Sequence, residues 1–309
     1  MLKWSSPRYL LINELNDYLL LTFKIYIIQN KIYSTCKLLV YLVCYNYHDT
    51  VKLLLKNGVD IHANNDYILR YTSHWGYFEI VQLLLKNGAN IHVNNDYALR
   101  WASKNGHHDI VELLVKSGAN IHANNNEALR NASEYAHYNT VKFLIKNGAN
   151  IHAKDDKVLR NASMNGHYDT VKFLIKNGAN IHADDDCALR LASEYGRYNV
   201  VMLLIENGAN IHAEDDYALR YASENGYNDI VELLIESGAN LHANNDYAIQ
   251  FASMNGHYNA VKVLIKNGAN IHANDDYALR FAAENAHYNV VNLLIKNGAK
   301  LHVANNMFK

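Results

Sequence analysis

One glycine recurs every 30 residues along most of the chain: Gly58, Gly88, Gly118, Gly148, Gly178, Gly208, Gly238, Gly268 and Gly298. A histidine keeps the same period from His62 to His302. A unit of this size is too small to bury its own apolar face, so successive units must stack and share a core. A chain of 309 residues would otherwise suggest two globular domains. The period overrides that prior, because a stack lengthens without enlarging any one core. Hydrophobic residues make up 50% of the chain, enough for a continuous stacked interior.

Residues Glu214 to Ala243 serve as the sample unit: EDDYALRYASENGYNDIVELLIESGANLHA. Asp216 precedes a helical pattern and is predicted to cap it by accepting amide hydrogens of the first turn. Asp66, Asp96, Asn126, Asp156, Asp186, Asp246 and Asp276 hold the equivalent place. Leu219 and Ala222 share a helix face, and the small Ala222 and Ser223 let neighbouring helices approach. Gly226 ends this helix, where a left-handed residue is needed. A second helix follows from about Asp229. Ile230, Val231, Leu233, Leu234 and Ile235 make it apolar on most sides, so it should be covered on most sides. Gly238 terminates it, and Ala239–Ala243 is predicted to be an extended link to the next unit.

Three stretches carry a family likeness: ASxNGH (Ala102–His107, Ala162–His167, Ala252–His257), IVELL (Ile110–Leu114, Ile230–Leu234) and NGAN (Asn147–Asn150, Asn177–Asn180). In these the chain resembles the ankyrin repeat, over residues 34–302. The resemblance implies an all-α, helix-turn-helix solenoid. The repeat is three residues shorter than the family's usual length of about 33, the loss falling between Ala213 and Tyr217. YALR (Tyr97–Arg100, Tyr217–Arg220) stands where the family has Thr-Pro-Leu-His. Short or absent β-hairpin fingers are therefore expected. Ala136 and Ala286 replace the helix-ending glycine, at a cost of about 1 kcal/mol where the site is left-handed. The Asn/Ile/Lys-rich style is similar to ankyrin repeats encoded by giant DNA viruses, which implies an intracellular protein, cytoplasmic or nuclear, in a host cell.

Regular units open at positions 66, 96, 126, 156, 186, 216, 246 and 276, and a degenerate one spans Lys37–Gly58. Residues 1–33 are read as an N-terminal capping segment that starts a helix at Ser6-Pro7, and residues 303–309 as a tail. In the last unit Val290 and Leu294 are expected to be exposed unless Met307 and Phe308 fold back. Self-association through that uncapped repeat is one consequence. The apolar run Tyr18–Ile28 is interrupted by Lys24 and is shorter than the roughly 20 residues of a membrane span, so a buried helix is expected.

A net charge of −1 gives no sign of a nucleic-acid or membrane partner. Cys36, Cys44 and Cys187 show neither ligand spacing nor a disulfide framework, and a reducing compartment is the natural reading. Stacked helices lie about 10 Å apart. The histidine ladder therefore cannot converge on one metal, whose donors must lie within about 2.0–2.2 Å, and a hydrogen-bonding link residue is expected. A second row, His107, His137, His167, His257 and His287, is expected to tie the turn between helices. Arg70, Arg100, Arg130, Arg160, Arg190, Arg220 and Arg280, with Gln250 as the exception, each lie four residues after the capping position. Helical Asp–Arg pairs worth about 0.2–0.5 kcal/mol each are the expected role. No unrepeated nucleophile with a base, phosphate-cradling loop or ligand cluster points to an enzyme, a cofactor or a metal.

Positions that vary from unit to unit carry more functional information. Two of them, one turn apart on the first helix, read Tyr67/Tyr71, Tyr97/Trp101, Glu127/Asn131, Lys157/Asn161, Cys187/Leu191, Tyr217/Tyr221, Tyr247/Phe251 and Tyr277/Phe281. Aromatic residues flank a more polar middle, and Trp75 adds an anchor at the end of one first helix. The resemblance places these helices on a concave side and implies a non-enzymatic scaffold for an unidentified protein partner. Tyr and Trp suit that use, since they offer large contact area with few rotors to freeze. The competing reading is that the rings merely pack between neighbours. A second functional reading is a substrate adaptor of a ubiquitin ligase, with residues 1–60 recruiting the ligase.

Overall fold

The structure, a computed structural model, describes residues 48–56 and 58–300. The capping segment, the helix at 38–46, the recruitment role of residues 1–47, and Met307 and Phe308 lie outside the described residues. Among the described residues there are 17 helices and no strand. Two compact units are present, residues 1–124 and 125–309.

Within each unit, first helices pack on first helices and second helices on second helices. In the first unit the first helices are Ala63–Trp75 and Val93–Lys104, and the second helices His48–Lys56, Phe78–Lys86 and His108–Lys116. In the second unit, Ala213–Glu224 packs between Ala183–Glu194 and Ala243–Met254 in the row of first helices. The row of second helices includes Tyr198–Glu206, Asn228–Glu236 and Tyr258–Lys266. Leu219 and Ala222 are fully buried, as their shared face requires, and Ile230, Val231 and Leu234 meet them from the second helix. Leu233 and Ile235 are only half-buried. The second helix is thus closed on one face rather than most of its circumference, because Leu233 and Ile235 turn to the rim of the row. Gly226 ends the first helix at φ +77°, and the same left-handed corner is held by Ala136 at φ 63° and Ala286 at φ 60°.

The link departs from expectation. Ala239–Ala243, expected to be extended, passes through a turn at Leu241-His242. The three residues after each such link form a left-handed turn: Glu214, Asp215 and Asp216 have φ of 53°, 52° and 54°. The turn recurs from Asn64–Asp66 to Asn274–Asp276, and only Lys154 and Glu214 among its residues are neither Asn nor Asp. A left-handed helical residue costs about 1–2 kcal/mol unless its short polar side chain helps, which is why Asn and Asp fill this place. Glu214→Asn is accordingly expected to stabilise the second unit by about 0.5–1 kcal/mol, read as a higher urea midpoint with an unchanged slope.

This turn also reassigns two rows. A capping residue needs β-region backbone, and Asp216 is left-handed, so the expected cap is not made. Its buried carboxylate instead accepts the Asn240 N–H of the next unit at 2.7 Å and pairs with His212 Nδ1 at 3.1 Å. Asp66, Asp96, Asp156, Asp186 and Asp246 repeat the bond to the next unit at 2.7–2.9 Å, and Asn126 does so with its amide oxygen. At Arg70, Arg190 and Arg220 the guanidinium bonds turn carbonyls where pairs with these carboxylates were expected. Arg220 donates from Nε to the Asp215 carbonyl at 2.8 Å and from Nη2 to the Glu214 carbonyl at 2.7 Å. Arg70, Arg100 and Arg190 clamp their own turns in the same way, and Gln250 reaches the Asn245 carbonyl. The reason is geometric: the left-handed turn points its carbonyls back at the helix it precedes, where a guanidinium can satisfy two at once.

At the C-terminal end Val290 and Leu294 are buried, not exposed. The expected exposure of this pair is not seen, while Met307 and Phe308 lie outside the described residues. Tyr288 and Ile295 are the large hydrophobic residues this helix leaves open, at 68% and 46% exposure.

Candidate aromatic interaction site

The first helices of the second unit carry a continuous ribbon of rings. Tyr217 and Tyr221 stack at 3.9 Å between centroids, Tyr247 and Phe251 at 3.9 Å, and Tyr277 and Phe281 at 4.0 Å. Successive pairs meet at 6.0 Å, Tyr221 against Tyr247 and Phe251 against Tyr277. The two aromatic positions lie one turn apart, so their rings stack within a unit and then reach the next. Arginines thread the ribbon: Arg220 lies 5.2 Å from the Tyr247 ring and 5.8 Å from Tyr217 and Tyr221. Glu residues at the helix ends fix the outer hydroxyls. Tyr217 Oη donates to Glu194 at 2.7 Å and Tyr247 Oη to Glu224 at 2.5 Å. Burial first, then the neighbouring carboxylate, pushes both phenols well above their ordinary range. All six rings are half-buried. They pack on one another, and each ring keeps part of its surface exposed.

The first unit gathers a separate cluster. Tyr67 and Tyr71 meet at 6.0 Å, Tyr71 and Trp75 at 6.2 Å, and Tyr97 stacks on Trp101 at 5.4 Å. His74 joins the two groups, lying 4.8 Å from Trp75 and 4.9 Å from Trp101. Trp75 is 58% exposed and Tyr67 37%. Burial, followed by the charges of His107 and Lys104, lowers the His74 pKa from its ordinary value of 6.5. A lowered folded-state pKa favours the neutral ring, so its contribution to stability is complete above 6.5 and is lost as pH falls through the folded value. Acidification is therefore expected to destabilise the wild type more than His74→Gln, a difference to be read from paired urea titrations at neutral and mildly acidic pH.

The repeated histidines have structural partners. His62, His92, His152, His182, His212, His242 and His272 each pair through Nδ1 with the turn aspartate of their own unit at 2.7–3.2 Å. The second row reaches further than the turn it was expected to tie. His107 and His167 place Nε2 at 2.9 and 2.8 Å from the carbonyls of His74 and Glu134 in the preceding unit, and Arg197 bonds the Met164 carbonyl from the same position. The helix-ending glycine makes room for these side chains: a Cβ on Gly226 would lie 2.5 Å from the His257 ring. Among the described residues no three His, Cys, Asp or Glu side chains come together to hold a metal. Cys187 is a buried free thiol whose pKa burial pushes up.

A further aromatic set stands apart from these rows. Its Tyr135 and Tyr195 share the variable place that Trp75 holds at the end of a first helix, and its other members went unread in the sequence. Tyr135, Tyr195, Tyr198, Tyr227, Tyr258 and Tyr288 are all exposed at the corners between first and second helices. Exposure follows from lying at the corner between the two helices, outside both packed rows.

Comparison with known proteins follows from this geometry. The family profile described as "Ankyrin repeats (3 copies)" matches residues 13–95, 69–155, 154–215 and 219–305. The chain belongs to the ankyrin repeat family. Among solved structures, the human ASB11 ankyrin repeat domain is similar at a TM-score of 0.57 and 23% identity, over 65% of this chain and 98% of that one. This likeness shows the fold alone. A search of curated proteins gives no match. Ankyrin repeats generally mediate protein–protein interaction, and members are typically non-enzymatic scaffolds. Among the described residues no helix is long and apolar enough to cross a membrane.

Proposed function

We propose that this chain is a non-enzymatic interaction scaffold that holds a protein partner on the aromatic faces of its first helices. The observation that carries the reading is the pair of aromatic patches, the six-ring ribbon from Tyr217 to Phe281 and the cluster of Tyr67, Tyr71, Trp75, Tyr97 and Trp101. Rings stacked on one another and straddled by arginines are held in place before binding, so little rotamer freedom is lost when a partner arrives. A reducing, intracellular setting suits the buried free thiol of Cys187.

The test is affinity capture from the native cell with mass spectrometry, comparing the wild type with a Trp75→Ala, Tyr97→Ala, Tyr221→Ala variant. Loss of the captured protein from the variant, with helical content unchanged by circular dichroism, is the expected result. Equal capture by both proteins would remove these faces from consideration.

A further inference from the structure

The net charge of −1 conceals a contrast between the two aromatic patches. In the second unit the exposed turn residues on the ribbon helices and the first helix before them include Asp184, Asp185, Glu214, Asp215 and Asp275. The first unit has none of these charges on its two first helices. Its exposed turn residues are Asn64, Asn65, Asn94 and Asn95. The carboxylates on those helices, Asp66 and Asp96, are 3% and 4% exposed and are held by the next unit's N–H and by a histidine. The cations there are Arg70, Arg100 and Lys104, and Lys104 sits 4.7 Å from the Trp101 ring.

A cavity of about 210 Å³ opens in this patch, lined by Tyr67, Arg70, Tyr71, His74, Trp75 and Tyr97. It is smaller than the roughly 300–1,000 Å³ of a site for a drug-sized ligand, and of the order of one large side chain. Arg70 is fixed within it. Nε and Nη2 are spent on the carbonyls of Asn65 and Asn64, and the guanidinium lies 5.3 Å from the Tyr67 ring and 5.4 Å from the Tyr97 ring. Its Nη1 makes no bond to the protein among the described residues. A rigid donor between aromatic walls suits a carboxylate beside a ring. Further cationic ligands are disfavoured by Arg70 itself. A nucleic-acid track would call for a longer run of cations than this single cavity offers.

We infer that the first unit is a docking pocket for an acidic peptide segment, with an aromatic side chain of the partner in the cavity of Trp75 and a neighbouring carboxylate on Arg70. This deepens the scaffold reading and rests on it.

The test uses the full chain and fluorescein-labelled synthetic peptides read by fluorescence polarisation at physiological salt: a tryptophan flanked by acidic residues, the same tryptophan flanked by lysines, the acidic peptide with glycine for tryptophan, and oligothymidylate. The acidic tryptophan peptide is expected to bind at least tenfold more tightly than the other three. Arg70→Gln should weaken it about tenfold while keeping the fold, since Gln250 already serves at this position in another unit. Trp75→Ala should weaken it further, and at 58% exposure Trp75 lies outside the core that holds the fold. Equal binding of acidic and basic peptides, with loss of both in Trp75→Ala, overturns the acidic inference and leaves the scaffold reading standing. Acidic-peptide binding that neither variant changes overturns both. Preference for oligothymidylate, or no binding of any probe at millimolar concentration, overturns the inference.

Discussion

Leu219→Ala is expected to lower the stability of the second unit by about 2–5 kcal/mol. Leu219 has no solvent exposure and lies on the face shared with Ala222, opposite Val231 and Leu234, which are also fully enclosed. Removing three carbons forfeits their transfer free energy and leaves a cavity between helices whose small residues, Ala222 and Ser223, have nothing to extend into it. Leu233→Ala is the internal control, since Leu233 is half-buried at the rim and should cost clearly less. Urea titration followed by circular dichroism reads both. Similar losses for the two leucines would contradict the one-faced core.

Asp186→Ala is expected to cost about 2–3 kcal/mol, whereas Asp186→Asn should cost under about 1 kcal/mol. Asp186 is 4% exposed, accepts the Asn210 N–H at 2.8 Å and pairs with His182 Nδ1 at 3.1 Å. Alanine orphans an amide that lies at the seam between units, and an unmade hydrogen bond there costs the desolvation of the donor. Asparagine keeps an acceptor in place, as Asn126 does for the Asn150 N–H at 2.8 Å. The paired substitutions thus separate the need for an acceptor from the need for a charge. Urea midpoints of the two variants read the difference, and equal losses would show that the charge, and not the acceptor, matters.

Much of the fold was legible in the residues. The period, the paired helices, the left-handed corner at Gly226 and the burial of Leu219 and Ala222 all follow from local propensity and hydrophobic pattern. The aromatic positions of the candidate site were legible as well, because they break the monotony of the repeat. Their arrangement as a stacked ribbon was not, since ring-to-ring distances depend on how closely neighbouring helices approach. The exposure of Tyr198, Tyr227, Tyr258 and Tyr288 was not legible, since it depends on their lying at corners outside both packed rows.

The turn at the head of each unit marks the boundary most clearly. Runs such as Asn64-Asn65-Asp66 and Asp184-Asp185-Asp186 were a signal for left-handed backbone, because these residue types tolerate it best. The same residues also favour helix caps, and composition alone does not choose between the two. Tertiary structure chooses, because only the left-handed turn lets Asp216 reach the Asn240 N–H and Arg220 reach two carbonyls at once. The sequence by itself determined that helix pairs stack every 30 residues around an apolar interior. That Asp216 serves the next repeat was decided only in the folded chain, since the Asn240 N–H lies 24 residues away along it and comes within reach only once the repeats have packed.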